Sequence, residues 1–271
     1  MIRMGSKKSM RAKRDAISKM TLMTDIFFEA FAEDVNAIQE MLRVILKDEL
    51  TVLNVIPQKQ IRNLFGRSVR LDAVCKLSDD RIVEIEIQNE DNDDHVKRAF
   101  FNSAQIMVKN SQTGTKFEEL PHVIIIYISG FDPFGNGLLT YHPQLVIKET
   151  EEVIDDGTEY IFVNTKADDG TKLARLMKRM QEREIADPEF PEITRKFNQL
   201  KNNEKGVNHM CQLMEEYTKD ARAEGKAEGK AEGLLLGKIE IYYNDLKLTP
   251  TEIAKKLEIT EDKVKELIAS L

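Results

Sequence analysis

The stretch VEIEIQNE, residues 83–90, alternates apolar and polar side chains, and its polar positions up to residue 88 are Glu84, Glu86 and Gln88. Strand geometry with period two places those three on one face and Val83, Ile85 and Ile87 on the other. Such a face is either solvated or holds a cation. The preceding segment SVRLDAVCKL, 68–77, puts Arg70, Asp72, Val74 and Lys76 on one face in the same way. Ser78, Asp79 and Asp80 between the two runs form a turn cluster. A three-residue loop there pairs Leu77 with Arg81, Val74 with Glu84, Asp72 with Glu86 and Arg70 with Gln88. A two- or four-residue loop separates Asp72 from Glu86 onto opposite faces unless a bulge restores them.

Two carboxylates placed opposite each other destabilise a sheet. At roughly 5 Å and an effective dielectric near 20 the repulsion is about 3 kcal/mol, and a divalent cation between them reverses the sign. Hard cations such as Mg²⁺ take one or two carboxylates together with waters. Asp72 and Glu86 suit that role, with a backbone carbonyl near Ile87 as a third ligand. A metal so held polarises a phosphoryl oxygen and lowers the pKa of a bound water. Gln88 can orient that water but cannot act as a cationic stabiliser.

The elements that must position these residues follow from periodicity. Residues 25–47 have helical spacing, as one helix or two broken near Asp34, and DHVKRAFFNSAQIMVKN, 94–110, is a second helical segment. PHVIIIYISG, 121–130, reads as a strand buried on both faces, EYIFVNTK, 159–166, as a later strand, and the chain from Lys172 onward as helical. The order predicts an α/β core with a mixed sheet and a helical C-terminal part. The expected divisions are a disordered basic leader over 1–20, a core over 21–170, a helical region over 171–221, a connector over 222–233 and a small helical tail over 234–271. The connector carries the repeat RAEG KAEG KAEG, in which a glycine in every turn weakens a helix by about 1 kcal/mol each.

RLDAVCKLSDDRIVEIEIQ resembles the active-site hairpin of the PD-(D/E)XK nuclease superfamily. Within it the chain is most similar to the bacterial recombination-promoting nuclease (Rpn) and transposase branch, where the hairpin reads Asp and then Glu-x-Gln. Asp72, Glu86 and Gln88 match position for position. TDIFFEAF and KRAFFNSAQI add support, as do the AEG repeats followed by a helical pair; the likeness covers roughly 20–271 and is most specific over 67–106. It implies a restriction-endonuclease-like fold and an endonuclease that hydrolyses DNA phosphodiester bonds with Mg²⁺ or Mn²⁺. Arg98 takes the place of the family's arginine, as a substrate-phosphate contact or a salt-bridge partner of Glu84. For the family's acidic residue on the first helix Glu29, Glu33 and Glu40 compete, and Glu40 is favoured because its helical segment is the more regular. Phe100 and Phe101 stand where related proteins often carry tyrosines. The alternative is a catalytically inactive nuclease-fold protein that binds DNA or partner proteins, which Gln88 in place of a lysine and the acidic charge motivate.

Composition sets the remaining bounds. With 271 residues, 41% of them hydrophobic, and a formal charge of −7, the chain can bury a full core but carries no large basic field. Its longest apolar run, Val123 to Ile128, is too short to span a bilayer. Cys75 and Cys211 are the two cysteines and lie far apart, which fits a reducing cytoplasm. The four histidines have no ligand spacing. GFDPFGNG, 130–137, reads as a turn-rich loop. LTPTEIAKKLEITEDKVKELIASL has a helix-turn-helix pattern, but residues 249–271 carry four Lys against five Asp or Glu and offer no Arg or Gln to read bases. The tail is therefore expected to mediate homodimer formation rather than DNA recognition.

Overall fold

The computed structural model describes residues 2–61, 69–269 and 271. The chain divides into two compact units, residues 1–213 and 214–271. The first unit opens with α1 (Ile2–Lys19), helical where the sequence predicts a disordered leader. Ile17 is buried, and Lys201 donates to the carbonyl of Ser18, so the end of this helix is held. The next segment is two helices, α2 (Asp25–Ala32) and α3 (Val35–Leu46). Asp34 makes the break: its carboxylate accepts the Ala37 N–H at 3.1 Å as the cap of α3 and also binds Arg195.

The remaining strands and helices of this unit are β1 (Val52–Ile61), β2 (Val69–Leu77), β3 (Ile82–Gln88), α4 (His95–Asn110), β4 (Val123–Ser129), β5 (Thr140–Tyr141), β6 (Leu145–Ile147), β7 (Glu152–Ile154), β8 (Thr158–Asn164), α5 (Lys172–Met180) and α6 (Pro191–Asn202). Ser68, the first residue of the strand predicted over 68–77, lies outside the described residues. The sheet order is β1-β2-β3-β4-β8-β5, and β6 and β7 form a separate antiparallel pair. β3 runs antiparallel to β2 and parallel to β4, and β4 is parallel to β8, so the sheet is mixed. α4 covers one face, packing with Val74, Val123, Ile125, Tyr127 and Phe162, while α2 and α3 pack against β1 and β2. Nothing in the sequence pattern predicts β1. Its VLNVIPQKQI contains a proline, which an edge strand tolerates because one N–H row is unpaired.

The hairpin takes the predicted register from its turn as far as Ala73↔Ile85, but the predicted pairs Asp72–Glu86 and Arg70–Gln88 do not form. Val74 lies opposite Glu84, and the Leu77 N–H meets the Arg81 carbonyl at 2.9 Å across Ser78-Asp79-Asp80. Asp80 has φ +68°, the left-handed third residue that such loops require. In the GFDPFGNG loop Asp132 accepts the N–H groups of Phe134, Gly135 and Gly137 and the Tyr141 hydroxyl, which makes it the turn-rich loop the sequence implies.

α7 (Glu204–Glu240) contributes residues to both units, and the AEG repeat within it is helical. In the second unit α8 (Pro250–Leu257) and α9 (Glu261–Ile268) are capped by Thr249 and Thr260. Ile253, Ala254, Val264 and Leu267 bury against Ile239, so the tail's apolar residues cover one another and the end of α7. Among the described residues no helix is long and apolar enough to cross a membrane.

α6 and α7 approach closely at Gly206, where a Cβ would lie 2.0 Å from the Gln199 carbonyl oxygen and 2.8 Å from the Leu200 Cα. In an unpacked helix Gly→Ala stabilises by up to about 1 kcal/mol. Here Gly206→Ala is expected to destabilise instead, by about 1–3 kcal/mol, as overpacking does. Urea unfolding of the two proteins gives the sign directly.

Candidate metal centre at the hairpin fork

The polar face of β3 is not solvated. Glu84 is fully buried and Glu86 is 5% exposed. Both lie beneath α4: Asn102 donates to Glu84 Oε1 at 2.7 Å, and Arg98 reaches Glu86 Oε1 at 3.5 Å. Arg98 also bonds Asp94 Oδ2 at 3.1 Å, so its carboxylate partners are Glu86 and Asp94, and Glu84 is served by Asn102. The second oxygens of Glu84 and Glu86 are buried with no hydrogen-bond partner. A buried, unsatisfied carboxylate oxygen is expensive, and two on one strand mark a place built for something other than stability.

β2 and β3 separate at this point. Their ladder runs from Lys76↔Ile82 to Ala73↔Ile85 and stops one residue short of Asp72 and Glu86. The Asp72 side chain fills the fork, with Oδ2 accepting the Ile87 N–H at 2.9 Å. Its Oδ1 accepts from Gln58 Nε2 at 3.3 Å. Burial raises the pKa of Asp72 to about 6, and the charge of Asp25 adds to that rise. Burial likewise raises Glu86 to about 8, with the Asp72 charge the next cause and Arg98 opposing. Glu84 is raised well above the usual value, by burial first and then by the charges of Glu86 and Asp72. The three carboxylates therefore share one electrostatic environment that disfavours their simultaneous ionisation.

A cleft of about 480 Å³ opens on this group, lined by Val69, Arg70, Glu86, Asp94, Lys97, Arg98, Phe101 and Asn102. Among the described residues no three acidic, His or Cys side chains converge as a complete ligand set. Two carboxylates with free lone pairs are nevertheless enough for a Mg²⁺ ion that keeps several waters. The partnerless oxygen of Glu86 and the held carboxylate of Asp72 fit such an ion, which would relieve the repulsion between them.

A family model described as PD-(D/E)XK nuclease family transposase matches residues 23–226. The chain belongs to this family. No curated protein and no solved structure matches it. The mixed six-stranded sheet flanked by helices is accordingly the restriction-endonuclease-like α/β core of PD-(D/E)XK nucleases.

Within this PD-(D/E)XK core the predicted residues separate. Asp72, Glu86 and Arg98 gather at the fork. Gln88 is two residues along the same strand, half-buried, and its amide nitrogen donates to the Glu90 carbonyl at 2.9 Å. Glu40 is elsewhere: its carboxylate accepts the Ile193 N–H at 2.9 Å at the start of α6 and lines a different cleft with Arg43 and Lys172. Regularity of the helix is the wrong criterion, because the packing of α3 on α6 decides where that face points. Of its competitors, Glu33 binds His209 and lies near Lys196, and Glu29 is 3.9 Å from Arg70. The first-helix acid that couples to the site is Asp25, whose charge acts on both Asp72 and Glu86. Asn89, just past β3, donates to the Met23 carbonyl and so ties the start of α2 to the end of β3. Asp25 lies in the TDIFFEAF segment that carries part of the resemblance, which is the one sequence signal pointing to it.

The raised pKa values give a pH test. An unfolded Glu86 ionises near 4.5, whereas in the fold it does so only near 8. Between those values the folded state holds more protons, so stability falls as pH rises. In chelator, Glu86→Gln removes this titration and relieves Asp72 and Glu84. The variant is expected to match the wild type near pH 4 and to exceed it increasingly towards pH 8, by on the order of a few kcal/mol. Melting temperatures across that range check it, and a constant difference with pH would contradict it.

Proposed function

We propose that this chain is a Mg²⁺- or Mn²⁺-dependent DNA endonuclease of the recombination-promoting type, with Asp72 and Glu86 as metal ligands and Gln88 orienting the attacking water. The observation that carries the reading is the meeting of the buried Glu86 and the half-buried Asp72 at a strand fork, under a cleft whose rim holds Arg70, Lys97 and Arg98. A bound divalent cation supplies Lewis-acid polarisation of the phosphoryl oxygen and a water of lowered pKa. The chain's own part is positioning and charge. Lys97 and Arg98 receive the phosphate backbone, and Arg98 exchanges its contacts to Glu86 and Asp94 for a phosphate oxygen. Gln88, its amide nitrogen fixed on the Glu90 carbonyl, offers its amide oxygen to the O–H of a water. Because Gln88 carries no charge, the cationic role of the usual lysine falls to Arg98 and Lys97. Water oxygen bonds to phosphorus as the P–O bond to the leaving sugar oxygen breaks; the water gives up one proton to solvent and the departing sugar oxygen takes one from solvent, so the products are a phosphate monoester and a sugar hydroxyl.

A second reading, a nuclease fold that binds DNA without cutting it, is favoured by the engagement of the Gln88 amide with the Glu90 carbonyl. Plasmid nicking separates the two. With Mg²⁺ or Mn²⁺ the wild type is expected to convert supercoiled DNA to the open circle, and Asp72→Ala to lose at least about a hundredfold of that rate, the scale of about 3 kcal/mol of lost transition-state stabilisation. Metal-independent binding with no cleavage by either protein would favour the second reading.

Self-association is assigned to the tail. Its own cluster leaves Leu234, Ile241, Tyr243 and Leu246 exposed, an apolar surface suited to a second copy. Truncation after Lys219 is expected to turn a dimer into a monomer, as the mass in solution reads it, and to leave DNA affinity little changed. A truncated protein that keeps its oligomeric state but loses sequence-selective binding would assign the tail to DNA instead.

A further inference from the structure

We propose that Gln58 is a positioning residue for the Asp72 carboxylate, an inference that rests on the reading of Asp72 as a metal ligand. β1 and β2 pair through Pro57↔Ala73 and Lys59↔Leu71, which brings Gln58 opposite Asp72. Gln58 has φ +47°. That left-handed conformation is uncommon for a non-glycine residue, and within a strand no turn calls for it. The alternation of β2 breaks at the same place: Leu71 and Val74, three residues apart, belong to one apolar cluster under α4, although an unbroken strand would send them to opposite faces. The hairpin is thus kinked at the Gln58–Asp72 pair, next to the point where β2 leaves β3.

The kink has one visible product. Gln58 Nε2 donates to Asp72 Oδ1 at 3.3 Å while the Ile87 N–H donates to Oδ2 at 2.9 Å. Donors from the strands on either side of β2 hold one oxygen each. This fixes rotation of the carboxylate about its Cβ–Cγ bond, and since each ionised oxygen accepts about two bonds, both keep a lone pair for a cation. Hydrogen bonds of this kind orient the groups that ligate metals, and their loss typically weakens metal affinity 10- to 100-fold. Backbone strain kept at such a place points from the outlier to a function.

The test uses full-length protein and Mn²⁺ alone as the probe, with affinity read by calorimetry and the melting temperature read in chelator. Wild type, Gln58→Leu, Gln58→Gly and Asp72→Asn are compared. Gln58→Leu and Gln58→Gly are expected to bind Mn²⁺ about tenfold or more weakly. Gln58→Gly should melt no lower than the wild type, because glycine accepts the left-handed backbone. Metal affinity and stability then move independently, which a merely structural role does not allow. Wild-type Mn²⁺ affinity in Gln58→Gly overturns the positioning role while leaving Asp72 as a ligand, as does a loss of affinity matched by a loss of melting temperature in both Gln58 variants. Unchanged affinity in Asp72→Asn, or no Mn²⁺ binding by the wild type, overturns the ligand reading and this inference with it.

Discussion

Burial of acidic side chains on a central strand is the constraint around which the first unit is arranged. β3 lies between β2 and β4 and under α4, so Glu84 and Glu86 lose their water on every side. A carboxylate there must be neutralised, hydrogen-bonded or paired with a cation. The fold provides partial remedies: Asn102 for Glu84, Arg98 for Glu86, and the Ile87 N–H with Gln58 for Asp72. Those of the two glutamates are incomplete, since one oxygen of each remains without a partner. An apolar strand would be more stable in this position. Under the proposed function, this deficit is what a bound cation would relieve.

The remedies come from elements far apart in sequence, and each has its own anchor. α4 brings Arg98 and Asn102, and its buried Ala99 and Ile106 seat it on the sheet. α2 brings Asp25, held to the end of β3 by the Asn89–Met23 hydrogen bond. At the same end Gly130 lets the exit of β4 pass the backbone of Asn89, where a Cβ would lie 3.1 Å from its side-chain oxygen. β1 can remain an edge strand with a proline and a left-handed residue because pairing on one side only leaves it room to kink. The part of the sheet that is irregular is therefore the part that meets the acidic group.

Much of the hairpin is legible in the residue pattern. Period two and a Ser-Asp-Asp loop are enough to place Val74 opposite Glu84, because a slip of one residue would turn the apolar set of both strands to the wrong face. That register sets Asp72 and Glu86 just beyond the last ladder pair, and the family resemblance rests on the same residues. The early opening of the ladder is not legible, nor is the Asp72–Ile87 bond that replaces the next pair. Gln58 is hidden for a related reason: VLNVIPQKQI has neither alternation nor a turn signal, and its strand exists because β2 offers it a ladder.

The acidic residue on the first helix shows where local pattern ends. Glu29, Glu33, Glu40 and Asp25 all lie on helical segments, and helical periodicity separates buried from exposed faces without naming the neighbour of each face. Packing of α3 on α6 sends Glu40 to cap Ile193, and the tie from Asn89 to Met23 brings Asp25 to the fork. The sequence by itself determined the strand register near the turn, the placing of Glu84 and Glu86 on one face of β3 and the α/β order, because these depend on spacings of a few residues along one chain. Only the tertiary structure decided that those acids are buried, which arginine and amide answer them, and which helix adds its charge, because burial and Coulomb coupling depend on distances between elements that the chain brings together from far apart.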